Sequence, residues 1–124
     1  MVNTKITDYT DLIAWQEGHS LVLAIYISTK NFPKDELFAL TSQLRRAVVS
    51  ITSNIAEGFS RPTKADKIHF YAMARSSADE ARNQLMIAHD LHYIDESIYS
   101  GLSAKCKTVH KLLTGLIKSI KERV

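Results

Sequence analysis

Tyr71, Ala74, Ala78, Ala81, Leu85 and Ala88 recur at steps of three and four over nearly twenty residues. On a helix that spacing places all six on one stripe, and the alanines let a neighbouring helix approach closely. No strand period of two fits the row, so this chain is constrained to bury one long helix against others. Three more segments repeat the pattern. From about residue 11 to residue 30, Leu12, Trp15, His19, Val22 and Tyr26 keep the period. From about 35 to 58 the row is Leu37, Leu40, Leu44, Val48, Ile51 and Ile55. From about 96 to 122 it is Ile98, Leu102, Cys106, Val109, Leu113, Leu116 and Ile120.

The punctuation agrees with this division. Asn31-Phe32-Pro33 ends the first helix, because a residue before proline is pushed out of the helical region. Gly58 is expected to end the second in a left-handed C′ conformation, with Phe59 covering the last turn. Thr63-Lys-Ala-Asp66 resembles a capping box and opens the third helix, over about 63–91. His92-Tyr-Ile-Asp95 breaks the chain again, and Asp95 or Ser97 lies near the N-cap of the fourth. Only 4 Gly and 2 Pro occur in 124 residues, which leaves few places for loops. Four helices of about 30 to 40 Å joined by short loops predict an all-α, up-down-up-down four-helix bundle, a single domain over residues 1–124.

Composition narrows the setting. The longest apolar run, Leu21 to Ile27, stops at seven residues, short of the roughly 20 that span a bilayer. The N-terminal residues lack an apolar signal core. The expected location is therefore cytoplasmic, without a membrane partner. Cys106 is the single cysteine, which excludes an intrachain disulfide and a cysteine-based zinc site and marks the thiol as a core residue. Leu21–Ile27 is apolar on every side of two helical turns, more than one bundle core covers, so self-association is expected.

The residues Asp11-Leu-Ile-Ala-Trp15-Gln16, Ile25-Tyr26, Phe32-Pro33, Leu40-Thr-Ser-Gln43-Leu-Arg45-Arg46-Ala47, Ser50-Ile51, Asn54-Ile55-Ala56-Glu57-Gly58 and Arg61 carry a resemblance. Over residues 8 to about 120 the chain resembles the four-helix-bundle proteins encoded by intervening sequences of bacterial 23S ribosomal RNA genes. That resemblance implies a ring of five subunits without established enzymatic activity. A related branch, the accessory protein of diversity-generating retroelements, engages a reverse transcriptase and nucleic acid. Thr52, where many relatives have proline, and Ser76-Ser77, where Gly-Ser is common, depart from the pattern without threatening the fold.

Two surfaces stand out. The second helix carries Arg46, Ser50, Ser53, Asn54 and Glu57 opposite its apolar row, mostly short polar groups where a solvated helix shows Lys, Glu and Gln. We assign this stripe, with Glu80 of the third helix, to a structural polar network at a helix or subunit contact, ahead of a solvated face or a ligand site. Covered charges without partners are costly, so such a network sets register. On the fourth helix Lys107, Lys111, Lys118 and Lys121 fall within an arc of about 80° opposite the apolar row. Residues 105–124 hold six Lys/Arg against one Glu in a chain of net charge +3. Such a row can follow phosphates, or it can merely solubilise the helix. Arg75 and Arg82 on the third helix are the next candidates for nucleic-acid contact.

Catalytic signals are weak. The five histidines form no repeated Glu-x-x-His pattern, and no Gly-rich phosphate loop or nucleophile elbow occurs. We therefore expect no enzyme, cofactor or metal site. The expected protein is a self-associating assembly or adaptor module whose partners are further copies of itself, RNA or DNA, or a nucleic-acid enzyme. The alternative is a protein-binding or structural module with no nucleic-acid role.

Overall fold

In the computed structural model, residues 5–123 are described; residues 1–4 and 124, the ends of the expected domain, lie outside the described residues. Four helices follow one another: α1 (Ile13–Thr29), α2 (Leu40–Ser60), α3 (Lys64–Asp90) and α4 (Glu96–Glu122). Each packs on its sequence neighbours and α4 closes back on α1, giving the four-sided arrangement of an up-down-up-down bundle. The core runs along its axis through Leu21, Ile25, Leu44, Ile51, Ile55, Leu85, Val109 and Leu113, all essentially inaccessible to water.

The helix starts have identifiable causes. Asp8 and Asp11 form a reciprocal capping box around a 3-10 turn, Tyr9–Asp11, so α1 begins at Ile13 rather than at residue 11. Backbone N–H groups of Thr7 and Asp8 donate to the Asp11 carboxylate and hold its pKa below the ordinary range. Thr63 caps α3 by accepting from the Asp66 N–H, and Asp95 caps α4 by accepting from the Ile98 N–H. His92, at φ 64°, makes the reversal between them.

Four sequence expectations are corrected. The second helix starts at Leu40, not near residue 35, because Lys34–Glu36 forms a separate 3-10 turn and Ala39 leaves the helical region at φ −125°, ψ −106°. Leu37 is consequently outside the helix and exposed. In α1 the buried row is Ala14, Gly18, Leu21, Ile25 and Thr29, so the expected row flanks the core and His19 and Tyr26 face outward. In α4 Ile117 is buried where Leu116 was expected, and Ile98 is exposed. Gly58 is helical and buried, and no glycine has positive φ. A Cβ there would stand 2.8 Å from Tyr71 Cε1, so Gly58 is small because the α3 tyrosine occupies the space.

Candidate nucleic-acid interface

The register of α3 against α4 brings together residues that lie far apart in the chain. Arg75 Nη1 donates to Thr114 Oγ1 at 3.2 Å, and four residues farther along α3 Asp79 Oδ1 lies 2.9 Å from His110 Nδ1. Nearer the hairpin, His89 Nε2 is 2.7 Å from Glu96 Oε2, and its ring stacks on Tyr99. Because the helices are antiparallel, each step toward the loop on α3 meets an equal step back on α4. The outer rows flanking the buried stripes therefore form the two walls of a groove.

Asp79, Arg82, Asn83 and Met86 form one wall; Lys107, His110 and Lys111 form the other, around an open cleft of about 530 Å³. Lys118 and Lys121 lie beyond the cleft, exposed on the same helix. From Lys107 to Lys121 the row covers about 21 Å at 1.5 Å per residue. Among the described residues, Arg82 and the four lysines have no carboxylate within 4.0 Å. The cleft thus gathers three cations without neutralising them, and its one carboxylate is engaged by His110. Behind it Cys106 is buried, and desolvation pushes its thiol up to about 12 against the opposing pull of Arg82. This is a core thiol, without thiolate chemistry at neutral pH.

The polar stripe of α2 divides. Ser50 Oγ lies 3.0 Å from Ser77 Oγ of α3, and Asn54 Nδ2 donates to the Ser50 carbonyl at 2.8 Å and to Ser50 Oγ at 3.0 Å. These half-buried groups satisfy one another across the α2–α3 contact. Arg46 and Ser53 are exposed. Glu57, also exposed, lies 3.5 Å from Arg61 on the next turn and accepts from Ser60 Oγ at 3.2 Å. Arg61 in turn lies over the Phe70 ring, 4.6 Å from its centroid. Glu80 accepts from Gln84 Nε2 at 3.4 Å on its own helix.

Asp79, Asn83, Met86 and His110 were not singled out by sequence reasoning. Their signal is positional. Asp79, Arg82 and Met86 each follow a residue of the α3 core row, while Lys107 and His110 each follow one of the α4 row, so both sets edge the α3–α4 seam.

The opposite side of the bundle is apolar. Tyr26, Leu37, Phe38 and Val49 border a shallow cleft of about 480 Å³ together with Arg45 and Arg46. Arg45 lies over the Tyr26 ring, 4.7 Å from its centroid, and its Nε donates to Thr29 Oγ1 at 2.9 Å. Leu23 and Ile27 continue the exposed apolar surface along α1. No group of three or more His, Cys, Asp or Glu side chains placed to hold a metal occurs among the described residues. Nor, among them, is any helix long and apolar enough to cross a membrane.

A solved structure of a protein of unknown function from the S23 ribosomal protein family, from Bacteroides thetaiotaomicron, has the same fold. The two share 22% identity over 86% of this chain and 96% of that one, with a TM-score of 0.79. No curated protein matches the chain. The family model described as 23S rRNA-intervening sequence protein matches residues 10–115, a span that includes α1, α2, α3, most of α4 and both walls of the cationic cleft. The chain belongs to the 23S rRNA-intervening sequence protein family.

Proposed function

We propose that this protein is a non-enzymatic, self-associating helical bundle, an assembly or adaptor module of the cytoplasm that contacts RNA or DNA, or an enzyme acting on them, through α4. The observation that carries this reading is the set of unneutralised cations, Arg82, Lys107 and Lys111 in one cleft with Lys118 and Lys121 beyond it. A row of about 21 Å spans several phosphates of an extended strand. Self-association is supported by the exposed Leu23, Tyr26, Ile27 and Phe38 on the other side of the bundle, with five copies as the expected number. The two surfaces are compatible, since assembly through α1 and α2 leaves the α4 row outside. A ring then multiplies a weak phosphate contact through high effective concentration.

Replacing Lys107, Lys111, Lys118 and Lys121 together by Gln removes four charges and leaves the buried Cys106, Val109, Leu113 and Ile117 row intact. Filter binding to structured RNA at two salt concentrations should show a large loss of affinity. The salt slope should fall by about 0.7 to 0.9 for each phosphate that the variant no longer neutralises. Unchanged binding by a folded, equally assembled variant would remove this face from the reading. The second reading, a protein-binding or structural module, rests on Phe38, which is 92% exposed beside the apolar cleft. Light scattering that gives a monomer at micromolar concentration, with no affinity for RNA or DNA, would favour it.

A further inference from the structure

We infer that the α3–α4 cleft prefers RNA to DNA because His110 Nε2 accepts a hydrogen bond from a ribose 2′-hydroxyl. The inference rests on the phosphate-binding reading of the cleft and adds to it the class of nucleic acid. His110 Nδ1 lies 2.9 Å from Asp79 Oδ1. An ionised carboxylate only accepts, so Nδ1 of the neutral ring carries the proton and donates it to Asp79. The tautomer is thereby fixed, and Nε2 is left with a lone pair. Nε2 has no hydrogen-bond partner among the described residues, and the His110 side chain is 40% exposed at the edge of the cleft.

The cations around it suit a phosphate. Lys107 and Lys111 lie one turn or less from His110 on α4, and Arg82 faces them from α3, with the Asn83 amide beside it. The acceptor oxygens of the cleft's side chains are those of Asp79, whose Oδ1 is engaged by His110, and of Asn83. A backbone phosphate supplies acceptors for the cations but nothing for Nε2. A ribose 2′-hydroxyl can supply that donor, and it is the one sugar group that RNA has and DNA lacks within a continuous strand. The groove therefore presents cations for phosphates and one oriented acceptor for the group that separates the two polymers.

The test uses two single strands of identical base sequence, one RNA and one DNA with deoxyuridine in place of thymidine, so that they differ in the 2′-hydroxyl alone. Fluorescence anisotropy with the full chain should give roughly threefold to tenfold tighter binding to RNA, the yield of one neutral hydrogen bond. His110→Phe keeps a ring and deletes the acceptor, and it should bring the two affinities within about twofold of each other. Asp79→Asn allows the amide to donate to Nδ1, which turns Nε2 into a donor, and it should reduce the preference while retaining the imidazole. Thermal melts establish that each variant is folded. Lys107→Gln with Lys111→Gln should weaken RNA and DNA alike. Equal parental affinities for the two strands overturn the inference and leave the phosphate reading standing. A preference that survives in His110→Phe also overturns it, because that variant has no acceptor left at the position. Absence of binding to either strand defeats the phosphate reading, and this inference with it.

Discussion

The two sides of the bundle are built from different residues. Along α1 and the turn that leads into α2, large apolar side chains stand in water: Ile13 is 63% exposed, Ile27 65% and Phe38 92%. On the α3–α4 side no large apolar side chain among the described residues exceeds 50%, and the outer surface between the helices is cationic instead. Inside, the contrast is between α3 and α2. The α3 row is mainly alanine and admits its neighbours closely, whereas the α2 row carries Leu40, Leu44, Val48, Ile51 and Ile55. A helix can thus meet the demands of the core with one stripe and still carry a second apolar surface, and that surplus is what marks a face for another protein.

The contrast can be tested from the largest effect downward. Cys106 lies beneath the cationic cleft on the closed α3–α4 side, and its thiol is pushed up to about 12 from an ordinary 9.0. Alkylation by iodoacetamide at pH 8 should therefore be slower than in the urea-unfolded chain by on the order of a thousandfold, with steric burial adding to the thiolate deficit. Because the folded pKa is raised, this group favours the native state fully below about pH 9, and its contribution is lost as pH rises toward 12. Rapid native labelling would mean that the α3–α4 seam opens readily.

Within α1 the next comparison sets Ile25 against Ile27, two positions apart and facing opposite ways. Ile25→Ala should cost about 2 to 5 kcal/mol in urea unfolding. Ile27→Ala should leave the unfolding of the single chain nearly unchanged and weaken self-association. Equal effects on stability would show that the outer surface of α1 is as tightly covered as its inner one.

Glycines probe the packing at smaller cost. Gly58→Ala brings a Cβ to 2.8 Å from Tyr71 Cε1 and 3.1 Å from Phe70 Cβ, an overpacking worth about 1 to 3 kcal/mol. Gly115→Ala meets nothing within 4 Å and should stabilise α4 by about 0.5 to 1 kcal/mol, because glycine is a poor helix former. The two melting temperatures should move in opposite directions. The smallest effect belongs to Glu57→Ala. Its bond to Arg61 joins side chains that are 49% and 39% exposed, so the loss should stay within about 1 kcal/mol, comparable with Glu122→Ala at the C-terminal end. A larger loss would place Glu57 in a covered contact formed only in the assembly.

The amino-acid sequence by itself determined the four helices, their order, the apolar row of α3, most of the rows of α2 and α4, and the exposed lysines of α4. Each of these follows from a local period of 3.6 residues, which needs no knowledge of the partner helix. It did not determine which side of α1 faces inward, because α1 is apolar on several sides and periodicity alone cannot choose among them; packing against α2 and α4 decided it. Likewise Gly58 reads locally as a helix stop, but the Tyr71 ring, thirteen residues away, made it a point of close approach within the helix. The Asp79–His110 pair and the cleft around it arise from residues 31 positions apart on antiparallel helices. No local spacing encodes such a meeting, since the register between α3 and α4 is set by how their buried rows interlock.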